Sequence, residues 1–139
     1  MSGEIVSHIG IAVADLSRSV PLFELVLGRK LTGISEVPDQ QVRVAFFGEV
    51  VGDDKTARIE LVQATSPDSP IARFIAKRGE GLHHVCIWVD DLERKLAELK
   101  TAGVKLIDEH PRFGAEGEKI AFIHPGSMNG VLLELHQKG

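Results

Sequence analysis

Residues 5–13 form an apolar, β-branched run closed by Asp15, which predicts a strand. Successive strand residues point to opposite faces, so His8, Gly10 and Ala12 share one face and Ile9, Ile11 and Val13 the other. The period then changes. Over 17–27, Val20, Phe23 and Leu27 recur at helical spacing and Gly28 follows, which predicts an amphipathic helix. Pro21 is expected in its first turn, where a missing N–H costs least. Residues 30–36, 42–48 and 57–63 predict three more strands, separated by Pro38-Asp39 and by Gly52-Asp53-Asp54.

The same pattern returns further along. His8-Ile9-Gly10-Ile11-Ala12-Val13-Ala14-Asp15-Leu16 aligns with His84-Val85-Cys86-Ile87-Trp88-Val89-Asp90-Asp91-Leu92, 76 residues on. Val44-Ala45-Phe46 meets Ile120-Ala121-Phe122 at the same offset, and Ile59-Glu60-Leu61-Val62-Gln63 resembles Leu133-Glu134-Leu135-His136-Gln137. The second copy predicts a strand at 84–89, a helix at 92–102 with Leu92, Leu96 and Leu99 inward, and a stop at Gly103. Strands near 104–108, 118–123 and 130–136 follow. Both copies read βαβββ, over about 1–65 and 80–139. A short helix over about 69–78 joins them, with Ser69 as N-cap and Pro70 at its first position. No linker is long enough to separate independent domains, so 1–139 is expected to be a single domain of α+β class whose halves share a core.

Composition narrows the possibilities. A chain of 139 residues fits one domain. No apolar run approaches the roughly 18 residues that span a bilayer, so no membrane partner is expected. The Met1-Ser2-Gly3-Glu4 start carries no basic region, so no signal peptide is expected. A single cysteine, Cys86, suits a reducing compartment, which predicts a cytoplasmic protein. Net charge is −4 without a basic stripe, which argues against nucleic acid. No glycine-rich phosphate loop follows the first strand.

The candidate chemistry lies in two histidines and two glutamates. By strand parity each copy offers one His and one Glu opposite an aliphatic face: His8 with Glu60, and His84 with Glu134. Taken singly, such residues are ordinarily solvated or hydrogen-bonded. As a repeated pair in equivalent strands they predict convergence on one point, if a pseudo-twofold relates the halves. Glutamates flanked by Leu and Ile also need a reason, because an unpaired buried carboxylate is costly. Two imidazoles and two carboxylates suit a divalent ion such as Zn, Co, Ni or Mn. His83 points to the other face and is expected to be structural, His124-Pro125 to be a turn, and His136 to be solvent-exposed although it shares parity with Glu134. Cys86 reads as a small buried hydrophobe. Gly114-Ala115-Glu116-Gly117 reads either as a flexible turn or as a loop closing over a ligand.

These residues resemble the vicinal oxygen chelate, or glyoxalase-like, superfamily, and within it the methylmalonyl-CoA epimerases. The resemblance covers nearly the whole chain. Its specific segments are His8-Ile9-Gly10-Ile11-Ala12-Val13, Asp68-Ser69-Pro70-Ile71-Ala72-Arg73-Phe74, Gly81-Leu82-His83-His84-Val85, Gly114-Ala115-Glu116-Gly117 through Ala121-Phe122-Ile123-His124-Pro125, and Gly130-Val131-Leu132-Leu133-Glu134-Leu135. It implies tandem βαβββ modules with a cupped mixed sheet around one divalent metal, cobalt foremost and Zn, Ni or Mn as alternatives. The ligands would be His8, Glu60, His84 and Glu134. It also implies an acyl-CoA substrate, a place in propionate metabolism and a homodimer.

The implied reaction removes the α-proton of a thioester and returns it to the other face through an enolate; Glu134 is the candidate for one base and Glu60, placed across the pseudo-twofold, for the other. A carboxylate bound to a metal is a weaker base, so one must loosen during turnover. The family commonly has Gln where this chain has Glu60, a departure that keeps lactoylglutathione lyase (glyoxalase I) open. A second family glutamate would fall near Arg43, so that carry-over fails; Glu36 and Glu49 are weaker alternatives. A third reading is a non-catalytic, ligand-sequestering module of the same fold.

Overall fold

The computed structural model describes residues 3–47, 57–114 and 117–139. Its strands and helices run β1 (Ile5–Ala12), α1 (Leu16–Leu27), β2 (Leu31–Val37), β3 (Val42–Phe47), β4 (Arg58–Ala64), α2 (Pro70–Arg78), β5 (Gly81–Val89), α3 (Leu92–Thr101), β6 (Arg112–Phe113), β7 (Lys119–Ile123) and β8 (Leu132–Gln137). The order strand, helix, three strands therefore occurs twice, with α2 between the copies. The chain divides into two compact units. One takes in the chain through His8 together with His84–Gly139; the other takes in the segment from Ile9 and Arg58–His83.

In the unit that begins at Ile9, β2, β3 and β4 form an antiparallel meander in that order. Alternation along these strands feeds two apolar layers. Ile11, Val13, Ala45, Phe47, Ile59 and Leu61 pack with Leu16, Val20, Phe23 and Leu27 of α1. Ala12, Val42, Val44 and Val62 pack with Ile71, Phe74 and Ile75 of α2. Asp15 and Ser69 are the N-caps, each accepting a backbone N–H from two residues on. Gly28 stops α1 in the left-handed region at φ 65°, where an L side chain is strained.

In the other unit β5 and β8 are parallel, and β7 and β6 extend the sheet antiparallel from β8. Val89, Leu92, Leu96, Ala121, Ile123 and Leu135 form its buried core beneath α3, with Ile87 and Leu133 packed against it.

The repeat extends to a capping device that pattern reading did not anticipate. Gln63 Oε1 accepts the Leu16 N–H at 2.6 Å, and Gln137 Oε1 accepts the Leu92 N–H at 2.9 Å. Each module thus ties its last strand to the first turn of its own helix, supplying one acceptor to the N–H groups that a helix leaves unpaired. Gln63→Ala is expected to cost about 1 kcal/mol, the usual net worth of one such bond. Gln137→Ala is expected to cost a similar amount. Denaturant midpoints of the two variants test this, and wild-type midpoints would refute it.

Two local expectations are corrected. Pro21 sits inside α1, past its first turn. The helix begins at Leu16, held by Asp15 and Gln63, so the proline falls in the second turn and cannot donate to the Ser17 carbonyl. Residues 104–108 form no strand; only an isolated bridge joins Leu106 to Ile123. The reason is local. Ile107 and Asp108 both donate to the Phe122 carbonyl, at 3.0 and 3.2 Å. The Asp108 carboxylate accepts the Phe122 N–H at 2.9 Å, occupying the donor a regular ladder would use. The short strand of this module is instead Arg112–Phe113. The segment Gly52-Asp53-Asp54 lies outside the described residues.

Candidate metal centre

His8, His84, Cys86 and Glu134 all belong to the unit built on β5 and β8. Val85, Ile87, Leu133 and Leu135 alternate with them; the core members among these pack toward α3, so His84, Cys86 and Glu134 face the other way. The parallel register sets Cys86 opposite Glu134 and His84 opposite Leu132. Across the antiparallel pair, Phe122 stands on the other side of Glu134.

His8 Nε2 lies 3.2 Å from His84 Nε2, with the rings edge to face at 5.3 Å between centroids. His84 Nε2 lies 3.7 Å from Glu134 Oε1, and these two side chains are only 12% and 15% exposed. Buried Ser7 places its hydroxyl 3.2 Å from His8 Nδ1, which orients the ring with Nε2 toward His84. Donor atoms of His8, Cys86 and Glu134 lie within 4.8 Å of one another. Ligands at 2.0–2.2 Å from a common ion are separated by about 3–3.6 Å in octahedral or tetrahedral geometry. The 3.2 Å spacing falls within that range and the 3.7 Å spacing lies about 0.1 Å beyond it, which makes His8, His84 and Glu134 candidate ligands for a divalent ion.

Glu60 belongs to the other unit. It lies on β4 opposite Phe46, between Ile59 and Leu61, which point into the α1 layer. It is 8% exposed. Burial raises its carboxyl pKa to about 7, against a weaker lowering pull from Arg58. On the same face of β3 stand Val42, Val44 and Phe46, none of them acidic. Arg43 points to the opposite face and pairs with exposed Glu36 at 2.9 Å, so neither supplies a base beside Glu60. Glu49 lies outside the described residues.

The remaining candidates fall into distinct roles. His83 packs edge-on against Phe74, ring centroids 4.9 Å apart, and burial lowers its pKa. His124 Nδ1 accepts the Gly126 N–H at 2.8 Å and caps a single turn. His136 is not solvent-exposed; its ring packs at a tilt against Trp88, centroids 4.5 Å apart, its register partner on the face that carries Glu134. Cys86 is fully buried, as expected, yet its sulfur sits among the donors. Its shared parity with His84 was the available signal. Of the loop at 114–117, Ala115 and Glu116 lie outside the described residues, and Gly117 donates to the Gly114 carbonyl at 3.0 Å.

Comparison with known proteins places the chain in a family. Residues 7–122 match the Glyoxalase/Bleomycin resistance protein/Dioxygenase superfamily. The mitochondrial methylmalonyl-CoA epimerase of Dictyostelium discoideum is 38% identical over 95% of this chain and 77% of its own. The ethylmalonyl-CoA/methylmalonyl-CoA epimerase of Cereibacter sphaeroides is 34% identical over 94% of this chain and 96% of its own. A variant of Streptomyces coelicolor methylmalonyl-CoA epimerase, solved in complex with 2-nitronate-propionyl-CoA, superposes with a TM-score of 0.85 at 31% identity, over 99% of this chain and 96% of that one. These homologues and structural neighbours are enzymes. With its doubled βαβββ order and its paired His and Glu strands, the chain belongs to the Glyoxalase/Bleomycin resistance protein/Dioxygenase superfamily, among its methylmalonyl-CoA epimerases.

Proposed function

We propose that this protein interconverts the (R) and (S) epimers of methylmalonyl-CoA by 1,1-proton transfer through an enolate. The observation that carries the proposal is the convergence of His8, His84 and Glu134 at ligand spacing, in a chain whose relatives act on malonyl-type thioesters. His8, His84 and Glu134 would hold one divalent ion, with Glu60 as the fourth ligand. Glu60 is supported by its burial and by its place in the repeat, equivalent to Glu134. When bound, such an ion supplies Lewis-acid stabilisation of charge on the enolate oxygen.

This chain's own residues perform the proton transfer. The Glu134 carboxylate takes the α-proton as the C–H bond breaks and its electron pair moves into the thioester carbonyl. Glu60, loosened from the ion during turnover, returns a proton to the other face, and the roles reverse for the other epimer. Cobalt is the first choice of metal, with Zn, Ni and Mn as alternatives. A homodimer and a cytoplasmic setting complete the reading. The second rests on a lone buried thiol. Among the described residues no helix is long and apolar enough to cross a membrane.

Proton NMR of methylmalonyl-CoA in deuterium oxide tests the proposal. Metal-loaded protein should erase the α-proton signal without decarboxylation. Chelator-treated protein should be slower by about 100-fold or more, as loss of several kcal/mol of charge stabilisation requires. No exchange with any divalent ion would remove the epimerase reading. Glu60 then favours a glutathione hemithioacetal as the next substrate to try, since its carboxylate is the feature that departs from the epimerase pattern.

A further inference from the structure

We propose that Cys86 is a soft donor built into the floor of this centre, so that His8, Cys86 and Glu134 form an alternative ligand set for thiophilic divalent ions such as Cd²⁺. The proposal rests on reading the centre as a metal site, but not on the epimerase reaction. Three observations carry it. Cys86 stands in register with Glu134 on the parallel pair β5–β8, and two residues from His84 on the same face. Its thiol is fully buried. Its sulfur, a His8 ring nitrogen and a Glu134 oxygen lie within 4.8 Å of one another.

A metal with bonds of about 2.3 Å to sulfur and about 2.1 Å to nitrogen or oxygen sets those donors about 3.6 Å apart. The gap to be closed is therefore at most about 1 Å. Glu134 has the longest and most rotatable side chain of the three and can close it, while the strand backbone holds Cys86 in place. Harder ions favour imidazole and carboxylate, whereas soft ions favour thiolate. The two sets share His8 and Glu134 and exchange His84 for Cys86, so one centre would sort ions by softness. On capture the thiol proton passes to solvent as the metal–sulfur bond forms, with no change of oxidation state. Glu134 is then drawn toward the sulfur side.

Metal-stripped protein should be titrated with Cd²⁺ and, separately, with Mn²⁺. Cd²⁺ should raise an ultraviolet sulfur-to-metal charge-transfer band that saturates at one ion per chain; Mn²⁺ should bind without it. Cys86→Ser should abolish the band and weaken Cd²⁺ by about tenfold or more, leaving Mn²⁺ affinity within about twofold. If that variant does not fold, cadmium NMR of the unaltered chain decides, since a sulfur ligand moves the resonance far downfield of an all-nitrogen-and-oxygen shell. Mn²⁺ binding with no sulfur signal from Cd²⁺ would overturn the proposal and leave the metal centre standing. Failure of both ions to bind would overturn both. Neither outcome bears on proton exchange, which is measured separately with substrate.

Discussion

Glu134→Gln is expected to leave the protein folded and to slow α-proton exchange by about two to four orders of magnitude, the range for loss of a positioned general base. The replacement has the same shape. The neighbours that anchor the strand, Leu133 and Leu135, pack beneath α3 and do not touch the changed face. The backbone register of Glu134 with Cys86 and Phe122 is independent of the side chain. What changes is chemical. An amide cannot accept the α-proton, and it is a poorer partner for a cation beside His84, 3.7 Å away. Deuterium incorporation into substrate, with circular dichroism as the folding control, decides the matter. Exchange within about threefold of wild type would remove Glu134 as the base. Measuring metal affinity of the same variant separates the two roles. Loss of exchange with the ion still bound assigns the proton transfer to Glu134, whereas loss of both assigns it to the ion's shell.

The second large effect concerns stability without metal. Glu60 ionises near its ordinary 4.5 in the unfolded chain and at about 7 in the folded one. Below 4.5 both states are protonated and the group contributes nothing. As pH rises toward 7 the unfolded state releases its proton first, so the folded state is progressively disfavoured. Above 7 the loss amounts to about 3 kcal/mol, because a tenfold difference in proton affinity between the two states is worth about 1.4 kcal/mol. At 8% exposure the carboxyl has little solvent to screen this effect. Metal-free Glu60→Gln should therefore match wild type near pH 4 and exceed it by up to about 3 kcal/mol at pH 8. A divalent ion that engages Glu60 reverses the sign, because it favours the carboxylate. Added metal should then stabilise wild type more than the Gln variant at pH 8. Denaturant midpoints across this pH range test both statements. Parallel pH profiles for the two metal-free proteins would show that burial of Glu60 has no such consequence.

Most of the secondary structure was legible because each element carried its own signal. The helices announced themselves through apolar spacing and through Ser69, Gly28 and Gly103 at their ends, whereas Asp15 was read only as the close of a strand. The faces of β1, β4, β5 and β8 followed from alternation alone, and that placed His84 and Glu134 together on one face before any tertiary contact was known. What failed was decided by competition between groups distant in sequence. Residues 104–108 have strand composition, but the Asp108 carboxylate takes the Phe122 N–H and interrupts the ladder. Pro21 falls in the second turn because Asp15 and Gln63 start α1 at Leu16, one residue before the predicted start.

For the candidate site the division is similar. The local order of residues determined which side chains share a face, since the period of a strand is a property of the backbone. It determined the repeat, and with it the equivalence of His8 with His84 and of Glu60 with Glu134. Distances were another matter. That His8 meets His84 at 3.2 Å, that the Cys86 sulfur falls among the donors, and that His136 packs against Trp88 depend on strand registers. Registers are set by packing beneath α3 across dozens of residues. The pKa of Glu60 has the same origin: its neighbours in sequence say that it is flanked by aliphatics, but only the packed layers withdraw its carboxyl from water and hold its proton to about pH 7.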